Sequence, residues 1–282
     1  MKIGLVSDTT ADIPAQVEEQ LGIEVVPAII NINGTSYEDG IGISREEFYT
    51  RLPGMVPPPT TASPSVGSFQ ERYEKLLQAG AAFVISIHPA TTLSGIFNAA
   101  RLAAEEFGER VRVIDSGQLS LGTGFLVLAA AEAIEAGANL EQTLAKVESE
   151  RQRVRVIALL ETIEYVRRSG RVSWAKAIIG SLLHIHPMFE VHHGIVHRLG
   201  QARTHRQGVT RMKEILNSLG PLGRLAVLHT NAENSARILL EEVKSLVKVK
   251  PFLVNVTTAI GTHVGPNGLG FAFVPIEQTK YP

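Results

Sequence analysis

The chain alternates short, unbroken apolar runs with longer stretches in which apolar residues recur every three or four positions. The run Ile3 to Val6 is short enough to be a buried strand. Asp12 stands where it would cap a helix to about Glu19, with Pro14 tolerated in the first turn. Val25 to Ile32 reads as a second strand, closed by the two-residue hairpin turn Asn33-Gly34. Ser44, with Glu47 three positions on, has the capping-box pattern. The run Pro57-Pro58-Pro59 stiffens the link to Thr61. Ser65 caps the next helix, where Phe69, Tyr73, Leu76 and Leu77 fall at helical spacing. A strand over Phe83 to Ile87, a helix over Ser94 to Phe107 and a strand over Val111 to Ile114 follow. Next come a helix over Ser120 to Ala136, closed by Gly137, and a helical pattern over Glu141 to Glu148. Strands separated by helices predict a parallel sheet with helices on both faces. Asp8, Thr92 to Ser94 and Asp115-Ser116 all follow predicted strands, so they should share one sheet edge, where such sheets bind ligands.

The second half has a different texture. Val154 to Leu160 is apolar, Glu164 to Arg168 is a short helix closed by Ser169-Gly170, and Ala175 to Leu183 reads as helical. Ile185 to Val191 and Ile195 to Leu199 flank a hairpin turn at His192-His193-Gly194. A helix over Arg206 to Ser218, strands over Arg224 to His229 and Phe252 to Val256, and a long helix over Ala232 to Val247 complete it. Gly261, Gly265, Gly268 and Gly270 read as a loop before the closing strand Phe271 to Val274. The predicted fold is α/β with two domains. Residues 1–153 form a Rossmann-like parallel-sheet domain, and residues 154–282 an α/β domain with a mixed sheet.

Composition narrows the function. A net charge of -1 lacks the basic excess of a nucleic-acid binder. With no cysteine, disulfides and thiolate zinc sites are excluded. The N-terminal apolar stretch is too short for a signal peptide, and Leu119 to Ala133 is interrupted by Gly122, Thr123, Gly124 and Glu132. The expectation is a soluble, cytoplasmic protein.

Two hydroxyl clusters carry the chemistry: Thr60-Thr61-Ala62-Ser63-Pro64-Ser65 and Thr91-Thr92-Leu93-Ser94-Gly95. Each precedes a predicted helix. Hydroxyls and unpaired N–H groups at a helix start suit a small anion, although capping alone is a common use of such residues. Ser94 lacks the flanking glycines of a hydrolase elbow, and the Gly261–Gly270 region is neither a Walker loop nor a dinucleotide fingerprint. His263, between Gly261 and Gly265, is presented toward a cleft. His184 and His186 would share a strand face, a spacing that permits a metal, though polar decoration of a hairpin is the plainer use. Arginines concentrate at 167, 168, 171, 198, 203, 206 and 211, a solvated face or a docking surface for an acidic partner. Arg171 is the one expected to turn inward toward an anion.

These residues together resemble the DegV family of bacterial lipid-binding proteins, which includes the fatty-acid-binding subunits of fatty acid kinase. The resemblance runs through Ser7-Asp8-Thr9-Thr10-Ala11-Asp12-Ile13-Pro14, Tyr37 to Gly40, Thr60 to Ser65, Leu93-Ser94-Gly95 and Val113 to Ser116. It continues through Ser169-Gly170-Arg171-Val172-Ser173 and Gly261 to Pro266. It implies one long-chain fatty acid as ligand and no other cofactor or metal. The carboxylate would be held by Thr61, Ser94 and the Gly95 backbone, with Arg171 and His263 completing the polar network. It also implies a non-enzymatic carrier that presents its ligand to a partner kinase for acyl phosphate formation. Arg168, Arg203 and Arg206 would form the docking face, with transient membrane contact and no nucleic acid. Phe125 to Ala130 and Ala177 to Leu183 are the candidate channel walls. Two departures stand out: Ser169-Gly170 replaces the family's glycine pair, and His184-Ile185-His186-Pro187 replaces Asn-Ile-Lys-Pro. Two other classes remain open: a metal-assisted, phosphate-directed hydrolase using Asp8, Asp12, Asp115 and Ser94, and a small-anion or nucleotide-binding module.

Overall fold

The computed structural model describes residues 2–170 and 185–276 of the 282-residue chain. The expected helix Ala175 to Leu183, Arg171 and His184 lie outside the described residues. Three sheets organise the rest. The first is parallel, in the order β2 (Ile23–Val26), β1 (Ile3–Asp8), β6 (Phe83–His88), β7 (Val111–Asp115). β1 is buried at every position, as a central parallel strand covered on both faces should be. The carboxyl ends of β1, β6 and β7 bring Asp8, His88 and Asp115 to one edge, as the alternation of elements predicts.

The second sheet is small and antiparallel, in the order β4 (Thr35–Glu38), β3 (Ile29–Ile32), β5 (Thr60–Ala62). The single strand expected over Val25 to Ile32 is therefore two strands in two sheets. Pro27 separates them, and a proline cannot donate a ladder hydrogen bond. Asn33 and Gly34 make the predicted hairpin turn, both at positive φ (51° and 81°). Asp12 does not cap the first helix, α1 (Ala15–Leu21), which starts at Pro14 without a side-chain cap. Asp12 is instead buried in a left-handed conformation and engaged elsewhere. Ser44 does cap α2 (Arg45–Arg51), accepting from the Glu47 N–H, and Ser65 caps α3 (Val66–Gln78).

The third sheet is mixed, in the order β10 (Ile195–Ala202), β9 (His186–His192), β8 (Arg155–Leu159), β13 (Leu269–Pro275), β11 (Leu222–His229), β12 (Phe252–Asn255). Only β11 and β12 run parallel within it. The remaining helices are α4 (Ile96–Ala104), α5 (Leu121–Glu135), α6 (Leu140–Arg151), α7 (Glu164–Arg168), α8 (His205–Ser218), α9 (Glu233–Val243) and α10 (Thr258–Val264). α4 and α9 are shorter than their apolar patterns, because each gives way to a 3-10 segment at its C-terminus. α10 occupies part of what the glycine spacing marks as a loop.

α5 explains how the parallel and mixed sheets meet. It is buried continuously from Leu121 to Ala131, the signature of a helix covered on every side. It packs on β1 and β6 on one side and on β13 on the other. One apolar core consequently includes Leu5 and Ile87 of the parallel sheet, Phe125 of α5, and Val156 and Ala272 of the mixed sheet. Arg224 reinforces this junction, donating to buried Glu150 at 2.6 Å and to Glu132 at 2.9 Å. The Ser169 departure is harmless to the backbone: Ser169 has φ −80°, and only Gly170 takes positive φ, at 71°.

Candidate functional site

A cavity of about 250 Å³ lies between the edge of the parallel sheet, the small sheet and the mixed sheet. Its apolar wall comes mainly from Val156, Ala158 and Leu160 after and along β8, Phe189 and Val191 of β9, and Val196 of β10. Phe125 to Ala130 does not line it; those residues are packed in the core between the sheets. Among the described residues the wall is a sheet face rather than α5, and the other expected wall segment, Ala177 to Leu183, lies outside the described residues.

The polar end draws on three separate elements. After β6 the chain turns through Ala90, whose carbonyl accepts the Leu93 and Ser94 N–H groups. This turn delivers Ser94 to the start of α4, where its Oγ accepts the Ile96 N–H at 3.2 Å. Thr61 arrives on β5 rather than at a helix start, paired with Ile30 of β3. The two hydroxyl segments touch: a Cβ on Gly95 would stand 2.9 Å from Ser63 Oγ, so glycine permits the close approach. His263 comes from α10, and its Nε2 lies 3.0 Å from Thr61 Oγ1. Thr61, Ser63, Ser94, Gly95 and His263 all line the cavity.

α10 is held firmly enough to aim His263. Ala259, Ile260, His263 and Val264 line the cavity, while Thr258, Gly261 and Thr262 are buried. The Thr257 N–H donates to Asp12 Oδ1 at 2.8 Å. Thr258 donates both its N–H (3.2 Å) and its hydroxyl (2.5 Å) to Asp39 Oδ1. Tyr49 OH donates to the Val256 carbonyl at 2.9 Å, and its ring occupies the space a side chain at 261 would need. Gly261 is therefore a packing position within a helix, not the loop punctuation its spacing implies.

Behind the edge of the parallel sheet runs a buried polar chain. Tyr73 OH donates to Ser86 Oγ at 2.9 Å, Ser86 Oγ lies 2.6 Å from His88 Nε2, and His88 Nδ1 lies 2.7 Å from Asp8 Oδ2. Asp8 Oδ1 also accepts the Thr10 N–H and hydroxyl, and Thr10 lines the cavity. Although the chain resembles a triad, Ser86 and His88 are wholly buried, so Ser86 is not presented to a substrate.

The carboxylates of the hydrolase alternative do not converge. Asp8 is engaged by His88 and Thr10, Asp12 by Arg45, Ser120 and Thr257, and Asp115 by Thr91 and Gly117. Among the described residues, no three His, Asp or Glu side chains form a group able to hold a metal. His186 faces Glu161 at 3.4 Å and His205, while the His192 and His193 rings lie 3.8 Å apart, tilted by 41°, at the hairpin tip. Arg168, Arg203 and Arg206 are exposed and do not line the cavity; Arg168 donates to Glu164 at 2.8 Å. Thr10, Ser120 and Thr230 also line the cavity, although sequence patterns did not single them out for the site. Thr10 and Ser120 follow predicted strand or loop ends, a positional signal. Thr230 follows β11 in the same way.

Comparison with known proteins identifies the family and the fold. The model of the DegV family, described as uncharacterised proteins, matches residues 2–276. Protein DegV of Bacillus subtilis is 32% identical over 280 residues, covering 97% of this chain and 99% of its own. A Thermus thermophilus structure described as fatty acid binding by a DegV family protein superimposes with a TM-score of 0.90 at 32% identity, covering 98% of this chain and 100% of that one. The Bacillus subtilis DegV structure, described as a fatty acid binding protein, gives a TM-score of 0.85 at 29% identity, covering 97% and 99%. The chain belongs to the DegV family.

Proposed function

We propose that this protein binds one long-chain fatty acid in the cavity, with the carboxylate at the Thr61–Ser94–His263 end and the acyl chain along β8, β9 and β10. The observation that carries the reading is the convergence of Thr61, Ser94, Gly95 and His263 at one end of a cavity whose wall along β8, β9 and β10 is apolar. Each buried methylene contributes about 0.8 kcal/mol, so an acyl tail supplies the affinity. A buried carboxylate needs donors, and two hydroxyls, an imidazole and the start of α4 supply them. Arg171 adds a cation in this reading. The similar DegV structures described as fatty acid binding support it.

The further step is presentation. The protein has the role of a carrier that offers the bound carboxylate to a separate kinase for acyl phosphate formation, docking through Arg168, Arg203 and Arg206. Native mass spectrometry of the purified protein, followed by organic extraction, tests the first step. A stoichiometric fatty acid released on denaturation supports it; a lipid-free protein that refuses added oleate refutes it. For presentation, ATP-dependent acyl phosphate should form only when carrier and kinase are mixed. Charge reversal at Arg203 and Arg206 should suppress it without changing fatty acid occupancy.

A further inference from the structure

Asp12 joins four separate stretches of chain without itself lining the cavity. Its Oδ2 accepts from Ser120 Oγ at 2.6 Å, and its Oδ1 accepts the Thr257 N–H at 2.8 Å. Arg45 Nη1 stands 3.2 Å from Oδ1 and also donates to the Asn255 carbonyl. Ser120 lines the cavity at the start of α5, Thr257 caps α10, and Arg45 opens α2, the helix whose Tyr49 packs on Gly261. From Thr257, one short helix leads to His263 and its contact with Thr61.

A fully buried carboxylate is an expensive way to hold one amide, since its desolvation cost must be offset by good partners. Stability alone would be served by a neutral group. Asp12 is instead met by a cation, a hydroxyl and an amide, all of them partners that favour the charged form. The Arg45 side chain is 30% exposed, so the pair reaches solvent on one side.

We propose that Asp12 is a positioning residue for the head-group site. Its ionised carboxylate, clamped by Arg45, Ser120 and the Thr257 amide, seats α10 so that His263 meets Thr61. The charge on Asp12 thereby governs how tightly a carboxylate ligand is held. This inference rests on the fatty acid reading of the cavity. The groups that face the clamp are Arg45 and Tyr49 from α2, Asp39 after β4, Glu18 of α1 through Arg45, and His229 at the end of β11, also through Arg45. Burial pushes Asp12 up to about 7, opposed by Arg45 and Ser120 and assisted by Asp39, so its charge changes near neutrality.

The test titrates cis-parinaric acid into the full chain as wild type, Asp12→Asn and Arg45→Gln, over about pH 5.5 to 8.5, a window that brackets this transition. The His263 imidazole resonance is followed in the ligand-free proteins over the same window. Wild-type affinity should fall about tenfold as pH drops through the Asp12 transition, a coupling of ordinary size. Asp12→Asn should bind weakly throughout and lack that inflection. Arg45→Gln should move it to higher pH, because the cation that favours the charged form is gone. The ligand's own titration is common to all three proteins and forms the background. A wild-type profile in Asp12→Asn, or an unmoved inflection in Arg45→Gln, overturns the proposal. If wild type binds no parinaric acid, the fatty acid reading fails, and the ligand-free His263 resonance still decides the clamp. Should Asp12→Asn fail to fold, the Arg45→Gln shift decides it.

Discussion

Replacing Thr61 by valine removes one hydroxyl and keeps a β-branched shape suited to strand β5. What is lost in the ligand-free protein is a half-buried hydroxyl contact to His263 Nε2 at 3.0 Å. Such a bond contributes about 1 kcal/mol, so the urea midpoint should move little. What is lost in the complex is a bond to a charged carboxylate, about 1.5–3 kcal/mol. At 1.4 kcal/mol per factor of ten, oleate affinity should fall roughly 10- to 100-fold. The assay is displacement of a fluorescent fatty acid by oleate, alongside urea denaturation of the same preparation. Thr61→Val and His263→Phe share a contact, so the double variant should lose less than the sum of the singles. A Thr61→Val protein with wild-type affinity would show that the carboxylate lies elsewhere in the cavity. A large loss of stability with unchanged affinity would assign Thr61 to the small sheet instead.

Gly261→Ala drives a methyl group into the Tyr49 ring, an overpacking cost of about 2 kcal/mol measurable by chemical denaturation, and should weaken oleate binding by displacing His263. Arg224→Met leaves buried Glu150 with Arg153 as its remaining cation and releases Glu132. The loss should be about 3 kcal/mol in denaturant, with oleate affinity unchanged in the folded protein. His192 is pushed down to about 4, by burial first and then by Arg155 and His193, so it stays neutral in the fold while the unfolded chain takes up a proton below its ordinary value. Stability attributable to His192 is therefore present at neutral pH and lost as pH falls from about 6.5 toward 4. An NMR titration of the ring should show the depressed midpoint, and His192→Phe should flatten the acid side of the stability profile.

The hydroxyl clusters were legible because they hold more Ser and Thr than capping consumes. Ser65 caps α3 and leaves Thr61 and Ser63 for the cavity. Their local setting was less legible. Thr61 sits in a three-residue strand too short to show alternation, and it finds His263 across 202 residues of sequence. The glycines near His263 have the spacing of loop punctuation, whereas Gly261 is required by a neighbouring tyrosine ring that no local pattern reveals. Hydrophobicity alone makes Phe125 to Ala130 a candidate channel wall. A helix apolar on all sides can border a ligand or lie between two sheets, and only the packing of α5 against both sheets decides.

Asp12 marks where local reading stops for a physical reason. A carboxylate after a strand and before a helix is an ordinary cap, and Pro14 strengthens that expectation. The fold spends it differently because its partners come from far away: Ser120 is 108 residues on, and Thr257 is 245 residues on. The two demands on this residue also oppose each other. With its pKa raised by burial, Asp12 favours the folded state most in the protonated form, so its contribution to stability falls as pH rises from about 4 through 7. The ionised form is the one that Arg45, Ser120 and the Thr257 amide are arranged to hold. A group kept charged against its own contribution to stability is expected where position matters more than free energy of folding. On that argument Asp12→Asn should be at least as stable as wild type in urea above pH 7, where the buried charge costs most, and yet bind oleate less tightly. A variant that lost stability and kept affinity would reverse the assignment, making Asp12 a structural cornerstone with no hold on the ligand.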